Sequence, residues 1–570
     1  MATTEYGVDQ FFSNAGTSPK MVYDVAGVLR WSPHNMIRES QTMGVAWTLQ
    51  SATLVVDQAT APDGTMTMDK IYPTSTGISR WIQGTAPVAL PAGFIGISFS
   101  VYAKMAGKRW IALGKFDGSA MGAWFDLQSG VVGTVVAGYT SSIQSVGDGI
   151  YRCTITSNVT TVFNYWLISV CDADNNTNVV ANGTDGVYLW GAQINRGAVA
   201  TAYLPTTTAA RIGLALDYDP VTLAAKGLLC EPAATNLQRA TATPTDATSW
   251  LVGGTTVTSA GIAPTGGAAF ALTEDTALGG HNIVAVNGTA AGLTSGTVYT
   301  VSGYVKANGR TRVRMFNFSL NNLTVFFDLT SGTTDNVSGG TAPVIRMTPV
   351  GNGWYRWEIT DTATATGQHR PSFDLVSTGT TISYTGNGTS GVYLWNHMQV
   401  ETGSVATSPI PTFAATVTRA VDNYSVTPTS INHSATAGSW WVEYFGQDAP
   451  GSTGRLIGYA SNGNITAPLL YRTNSPYFGL LETTNLQQSV SSAVGLHKVA
   501  STWQSGDRAI TSDARTVIVD TGATANLAAP GALVGFGSMA GGNPMLGYIR
   551  KVRYVPRRKS NAELVTETTL

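Results

Sequence analysis

The chain has 570 residues, which at about 150 residues per domain predicts three to four domains and excludes a single small module. Charged residues make up 12% of it, 33 Lys+Arg against 34 Asp+Glu, where a soluble domain typically carries about 25%. The net charge of −1 gives the whole chain no pull toward nucleic acid, whose binding rests on phosphate neutralisation.

Thr, Ser and Asn recur along the chain with 63 Gly, a mixture that disfavours helix and suits strands and turns. An all-β protein is expected. A hydrophobic content of 43% with 9% aromatics provides for packed cores rather than disorder.

In chain order, residues 1–34 read as an N-terminal arm or attachment segment. Met1-Ala-Thr-Thr-Glu5 has no basic n-region or apolar h-region, and no stretch reaches the ~18 apolar residues of a membrane span, so neither signal peptide nor membrane insertion is expected. Residues 35–208 follow as short alternating segments such as Ser98-Phe-Ser-Val-Tyr-Ala-Lys104 and Tyr151-Arg-Cys-Thr-Ile-Thr156, the period of half-buried strands. Residues 209–236 read as an ordered connector, a turn and then an apolar run. Residues 237–418 repeat the first pattern. In residues 419–570 a third pattern begins, with strands expected at Trp440-Trp-Val-Glu-Tyr-Phe445, His497-Lys-Val-Ala-Ser-Thr-Trp503, Thr516-Val-Ile-Val-Asp520 and Tyr548-Ile-Arg-Lys-Val-Arg-Tyr-Val555. Ser560-Asn-Ala-Glu563 is a capping box that should open one short helix.

The duplication is explicit. Asn35 and Trp47 recur as Asn236 and Trp250, and Phe125-Asp-Leu-Gln-Ser-Gly130 recurs as Phe327-Asp-Leu-Thr-Ser-Gly332. Asn182-Gly-Thr-Asp-Gly-Val-Tyr-Leu-Trp190 recurs as Asn387-Gly-Thr-Ser-Gly-Val-Tyr-Leu-Trp395. Two jelly-roll sandwiches with one strand order are expected.

Chemical motifs are sparse. Gly386-Asn-Gly-Thr-Ser-Gly391 matches a dinucleotide fingerprint, but a strand follows it where a helix is needed, and Ala181 replaces the first glycine in the other copy; it reads as a turn. No G-x-S-x-G elbow, H-E-x-x-H or Walker lysine occurs, so no catalytic residue and no cofactor are assigned. Asp126 and Asp328 stand at a strand-to-turn step that calls for an Asx turn. The acids of Asp172-Ala-Asp-Asn-Asn-Thr-Asn178 are of the type calcium takes, but the EF-hand glycine and terminal Glu are missing; an exposed polar loop is the plainer account, and no metal is assigned. Cys153, Cys171 and Cys230 lack metal spacing and are expected as free thiols, with Cys153 at a sandwich surface or core edge. Trp81 does not repeat, and Arg80-Trp81 joins a stacking face to a planar donor. The two are the candidate ligand-binding residues, against the alternative of an ordinary rim aromatic. The basic run from Arg550 through Arg557, Arg558 and Lys559 reads as a solvated final hairpin, or else as a patch for an anionic glycan or a partner subunit.

Tyr23-Asp-Val-Ala-Gly-Val-Leu29, Asp217-Tyr-Asp-Pro-Val-Thr222, Gly227-Leu-Leu-Cys-Glu231, Thr235-Asn-Leu237, Gly351-Asn-Gly-Trp-Tyr-Arg356, Tyr384 through Trp395 and Val417-Thr-Arg-Ala420 together resemble a family of tailed-bacteriophage virion proteins. These are tail-fibre, spike or head-fibre proteins with carbohydrate-binding-module-like jelly rolls, and Gly547 through Leu564 resembles the last strand and helix of their concanavalin-like lectin domain. Cys230 and Ala234 depart from the family's usual aliphatic residue and arginine, and the family's continuous preface is split between residues 20–35 and 211–236, as though the first jelly roll were inserted by duplication.

The resemblance implies tandem jelly-roll sandwiches followed by a concanavalin-like sandwich, in a virion protein made in the host cytoplasm. It further implies a homotrimer, contacts with other virion proteins through the N-terminal arm, and binding of host surface glycan without turnover. A head fibre or decoration protein without ligand, and a depolymerase of host polysaccharide, are the alternative readings.

Overall fold

The structure is a computed structural model that describes residues 13–14, 16, 18–44, 47–78, 80–84, 96–115, 121–157, 165–286, 292–317, 319–367, 369–434, 436–447, 454–461, 464–472, 477–481, 485–489, 494–521, 533–536 and 545–569. The chain divides into two units, Trp31–Gly213 on one hand and Met1–Arg30 with Leu214–Leu570 on the other. The first unit is therefore an insertion in the sequence of the second. The fold is all-β, with antiparallel sheets throughout, and the helix Asn561–Thr568 is capped as expected by Ser560 and Glu563.

Unit Trp31–Gly213 is a sandwich of two six-stranded sheets. One runs in the order Tyr139–Gly147, Ile150–Ser157, Ile97–Ala106, Gly186–Arg196, Met68–Pro73, Ala52–Ala59; the other runs Val131–Val135, Met121–Asp126, Trp110–Lys115, Tyr165–Cys171, Arg80–Gly84, Trp47–Gln50. In the larger unit the sheets Val344–Pro349, Trp354–Thr362, Val298–Asn308, Gly391–Thr402, Ala268–Glu274, Thr255–Ile262 and Thr333–Ser338, Leu323–Asp328, Arg312–Asn317, Ser372–Val376, Asn282–Ala285, Trp250–Gly253 repeat that order strand for strand. Even the register shift recurs, between Ser100 and Tyr102 in one copy and between Ser302 and Tyr304 in the other.

The repeated residues are the ones that hold this topology. The Asn35 side chain donates to Ala192 O and Leu204 O and accepts from Ile37 N and Ile194 N; Asn236 likewise donates to Ile410 O and accepts from Gln238 N and Val400 N. Each is a buried amide that closes its sandwich across distant segments, and buried polar groups are tolerated when satisfied in this way. Gly186 and Gly391 each start the long Val-Tyr-Leu-Trp strand because a Cβ there would collide with the carbonyl of Ile71 or Leu272.

The two cores are filled differently. In register, Val101 opposes Cys153 in the first copy, while Gly303 opposes Trp357 in the second. Both Cys153 and Trp357 are fully buried, which corrects the expectation of Cys153 at a surface or core edge: it shares the inward face with Ile155, two residues on. The small residue and the large one trade places across the strand pair, so each pair fills its own core. His397, where the first copy has Ala192, is enclosed between Trp250 at 5.0 Å and Phe373 at 5.2 Å, and neither of its ring nitrogens has a hydrogen-bond partner.

The C-terminal sandwich draws on more of the chain than residues 419–570. One sheet runs Leu216–Tyr218, Ala225–Cys230, Gly547–Val555, Ala437–Gly446, Gly495–Gln504, Asp507–Ser512, Ile518–Asp520. In the other, Ser13–Asn14 pairs with Tyr424–Val426, followed by Leu533–Phe536, Gly454–Ser461, Asn464–Arg472, Tyr477–Leu481 and Asn485–Ser489. The connector is thus part of this sandwich: Leu228 and Cys230 lie in its core with Tyr424, Trp440 and Ile549. Its apolar run supplies the strand Ala225–Cys230, which pairs with Gly547–Val555 on one side and with Leu216–Tyr218 on the other. The last strand pairs on its other edge with the early strand Ala437–Gly446.

Candidate functional site

Within the larger unit, strands from the N-terminal segment, the connector, the second jelly roll and the C-terminal sandwich converge on a cleft of about 300 Å³. That is the small end of the ~300–1,000 Å³ that ligand pockets span. Tyr23 ends the strand Met21–Tyr23, its backbone N–H donating to Asp217 Oδ1 at 2.7 Å. From the connector come Asp217 and Lys226, and from the last strand Tyr548, whose hydroxyl donates to Asp217 Oδ2 at 2.7 Å. Lys226 Nζ reaches the same oxygen at 3.2 Å and lies 5.3 Å from the centre of the Tyr548 ring. On the jelly-roll wall Tyr304 opposes Arg356 in register, and the guanidinium lies 5.7 Å from the Tyr304 ring. Arg346 opposes Glu358 on the neighbouring strand. Phe445 and Val494 line the cleft from the C-terminal sandwich.

Phe445 stands out by exposure. At 37% it is the most exposed aromatic side chain among the described residues. Trp440, Val442 and Tyr444 of its strand lie in the core, and the strand alternation puts Phe445 on the other face.

The cleft carries polar groups the protein itself does not satisfy. The buried hydroxyls of Tyr23 and Tyr304 face one another without closing a well-formed hydrogen bond, and neither has another partner. Arg356 Nε lies 3.4 Å from Glu358 Oε1 and also makes no hydrogen bond, although Arg356 Nη2 donates to Thr407 O at 2.5 Å. Burial, reinforced at Tyr23 by the neighbouring Tyr304 and at Tyr548 by Asp217, raises all three tyrosines above their ordinary value and keeps them as O–H donors. Burial opposes the charge on Arg356, but Tyr304, Glu358 and Glu401 around it hold the guanidinium above its ordinary value. Unsatisfied buried donors cost about 1–3 kcal/mol each, so their grouping in one cleft is informative.

The carboxylates of the cleft are all engaged. Asp217 takes the donors just described, and Asp219 accepts from Val221 N and Thr222 N in a tight turn. Glu231 accepts from Ser408 N and Oγ at 2.6 and 2.7 Å and pairs with Arg419 at 3.3 Å and Lys20 at 3.7 Å. Burial works against its charge, yet Arg419 and Lys20 hold its carboxyl below the ordinary value. Lys20 also pairs with Asp422, closing a buried cluster behind the cleft wall. Glu358 lies 3.4 Å from Arg356 and 3.8 Å from Arg346.

The residues singled out in the sequence lie elsewhere. Arg80 and Trp81 are in the strand Arg80–Gly84, where Trp81 pairs with Ile168 and Leu49; their side chains lie outside the described residues. Asp126 and Asp328 form the expected Asx turns, accepting from Gln128 N and Ser129 N in one copy and from Thr330 N and Ser331 N in the other. The Gly386–Gly391 segment is a turn in which Asn387 Oδ1 accepts from Thr389 N and Ser390 N, and Asn387 N donates to the buried Glu274. In the 172–178 loop, Asp172 holds Lys108 and Val180 N while Asp174 holds Thr134, so those oxygens serve the loop itself. Among the described residues no group of three or more His, Cys, Asp or Glu is placed to hold a metal. The basic run is largely neutralised within the chain, Arg550 by Glu443, Arg553 and Lys559 by Glu567, Arg557 by Glu563 and Arg558 by Asp507. All three cysteines are buried and none is in a disulfide.

No family model matches the sequence, and no curated protein matches it. Among solved structures, the CBM40 of the Ruminococcus gnavus IT-sialidase bound to α2,3-sialyllactose is similar at 18% identity, covering 24% of this chain and 84% of that one, with a TM-score of 0.21. The N-terminal CBM22-1–CBM22-2 tandem domain of Paenibacillus barcinonensis Xyn10C matches at 10% identity over 68% of this chain and 99% of its own, with a TM-score of 0.20. Trypanosoma rangeli sialidase in complex with sialic acid matches at 10% identity over 100% and 98%, with a TM-score of 0.21. At scores this low the likeness carries no functional reading, and the cleft stands on its own side chains.

Proposed function

We propose that this chain is a non-catalytic, glycan-binding component of a bacteriophage virion, a tail fibre or spike, whose larger unit holds host surface sugar in the cleft between Tyr304 and Phe445. The observation that carries the glycan reading is the pairing of an exposed aromatic rim at Phe445 with buried, unsatisfied donors at Tyr23, Tyr304 and Arg356. A sugar offers both an apolar C–H face for the ring and oxygen acceptors for the donors. The engagement of Asp217, Asp219, Glu231 and Glu358 with internal partners supports binding over hydrolysis, which needs one carboxyl free to give a proton and another to attack or activate water.

The virion setting rests on the resemblance of the sequence motifs, as do the homotrimer and the anchoring of the arm in other virion proteins. Within such an assembly weak sites gain avidity by being held together. The test is to mix purified protein with host envelope polysaccharide and follow both retention and polymer length. Retention that falls about two- to tenfold in Phe445→Ala, at constant polymer length, is expected from the loss of one aromatic contact. Shortening of the polymer, or retention indifferent to Phe445, would overturn the proposal.

A further inference from the structure

We propose that Lys20 and Asp422 become joined by an amide bond between their side chains, formed by the chain itself with Glu231 as general base. The proposal is independent of the glycan reading and concerns the cluster behind the cleft wall. Lys20 Nζ is in direct contact with Asp422 Oδ2 and lies 3.7 Å from Glu231 Oε2. All three residues are at most 3% exposed, so bulk water is kept from them.

Their neighbours hold them in place. Lys20 Nζ also donates to Leu229 O at 2.7 Å; Tyr424, whose hydroxyl donates to the same carbonyl, has its ring centre 5.7 Å from the nitrogen. Glu231 N donates to Asp422 Oδ2 at 2.6 Å, and Asp422 N donates back to Glu231 O at 3.2 Å. A nucleophile, an acyl carbon, a base and an N–H on the acyl oxygen are thus brought together, the set that acyl transfer to an amine needs.

The step balances without an oxidant, reductant or further reactant. Lys20 passes one proton to Asp422, which leaves an amine and a carboxylic acid. The amine nitrogen attacks Asp422 Cγ, and the oxygen held by Glu231 N–H carries the negative charge. Glu231 then takes a proton from the nitrogen and delivers it to the hydroxyl on Cγ. As the carbonyl reforms, that hydroxyl departs as water; one ammonium and one carboxylate have become one amide and one water.

The surroundings suit these roles. Burial raises the Asp422 carboxyl above its ordinary value and so favours its taking the proton, while Arg419 and Lys20 keep Glu231 ionised against its own burial. Four buried charges become two, and Glu231 stays paired with Arg419 at 3.3 Å. Exchanging a buried ion pair for a neutral group removes a desolvation cost. The bond ties positions 402 residues apart, the N-terminal segment to the start of the C-terminal sandwich, in a chain none of whose cysteines is in a disulfide.

The test is the intact mass of the purified full chain, denatured and reduced. It should fall below the mass of the sequence by one water, and trypsin should leave Lys20 uncut in a peptide joined to the one containing Asp422. In Asp422→Asn the same attack expels ammonia, so the loss should change from water to ammonia. Glu231→Gln should be recovered largely unjoined, since removing a positioned base slows proton transfer about a hundredfold or more. Joining in that variant to the parent's extent would overturn the part assigned to Glu231.

The measurement on the unaltered protein needs no variant to fold. A mass equal to that of the sequence would overturn the inference. So would a water loss that maps to an Asp-Gly step such as Asp148-Gly149, with Lys20 cut normally. Either result leaves the ion pair and the glycan cleft standing.

Discussion

His397→Leu isolates one buried group whose protonation the fold forbids. The imidazole is fully buried between Trp250 and Phe373 with both nitrogens unpartnered, and desolvation lowers its pKa from 6.5 to about 3. A folded-state value below the unfolded one means that the unfolded chain takes up the proton first. Stability is therefore complete above the unfolded value and is lost progressively as pH falls from about 6.5 toward 3.

At pH 5.0, 1.5 units below the unfolded value, the loss amounts to about 2 kcal/mol, while at pH 7.5 it is close to zero. Leu cannot titrate. At pH 7.5 it also removes an unsatisfied polar group, a gain of about 1–3 kcal/mol if the side chain is accommodated. The variant should accordingly be more stable than the parent at pH 7.5, and its advantage should grow by about 2 kcal/mol at pH 5.0.

Other groups titrate in the same window, Asp69 with a pKa raised by burial to about 6 among them, but they are common to both proteins and cancel in the difference. Hydrogen exchange followed on peptides from Gly391–Thr402 reads the effect where it arises. The equivalent strand Gly186–Arg196, with Ala192 in place of the histidine, is an internal control. An advantage that does not change between the two pH values, or one that appears equally in the control strand, would refute the reasoning.

Further outcomes follow from other parts of the structure. Residues 419–570 expressed alone should fail to give a cooperative thermal transition, because Leu216–Tyr218 and Ala225–Cys230 are missing from their sheet; a folded fragment would show those strands to be dispensable. Lys20→Met should destabilise the larger unit by about 3–5 kcal/mol, measured by urea unfolding, since Asp422 and Glu231 are left buried with a cation removed. A loss under about 1 kcal/mol would mean the cluster contributes little. Thiol reagent at pH 8 should modify no cysteine in the native protein and three per chain in denaturant, because all three are buried and burial raises the Cys153 and Cys230 thiols.

The repeat was legible because the determinants of a jelly roll are local. Asn182 and Asn387 set their turns through their own neighbours two and three residues on, and strand alternation shows along the chain. The cleft was not legible. Tyr23, Asp217, Tyr304, Arg356, Phe445 and Tyr548 come from segments about 50 to 200 residues apart along the chain, and no spacing links them.

Trp81 drew attention as a non-repeating aromatic. Phe445 carried a quieter signal, its opposite parity to Trp440, Val442 and Tyr444 near a strand end. The ion pairs of the basic run were hidden for the same reason as the cleft. Two of the acids that neutralise it, Glu443 and Asp507, precede it by about 50 to 100 residues, so composition alone left it looking free.

The exchange of volume between Val101–Cys153 and Gly303–Trp357 bears on how a tandem chain avoids tangling while it folds. Two copies with one strand order are liable to trade strands, a recognised failure of repeated domains. Here a strand docked into the wrong copy meets a misfit. Residues 150–157 laid against the second core would put a thiol where an indole belongs and leave a void, while residues 354–362 laid against the first would press Trp357 onto Val101. Divergence inside the two cores thus acts as a proofreading device for strand pairing, leaving the turns and hydrogen-bonding amides free to stay alike.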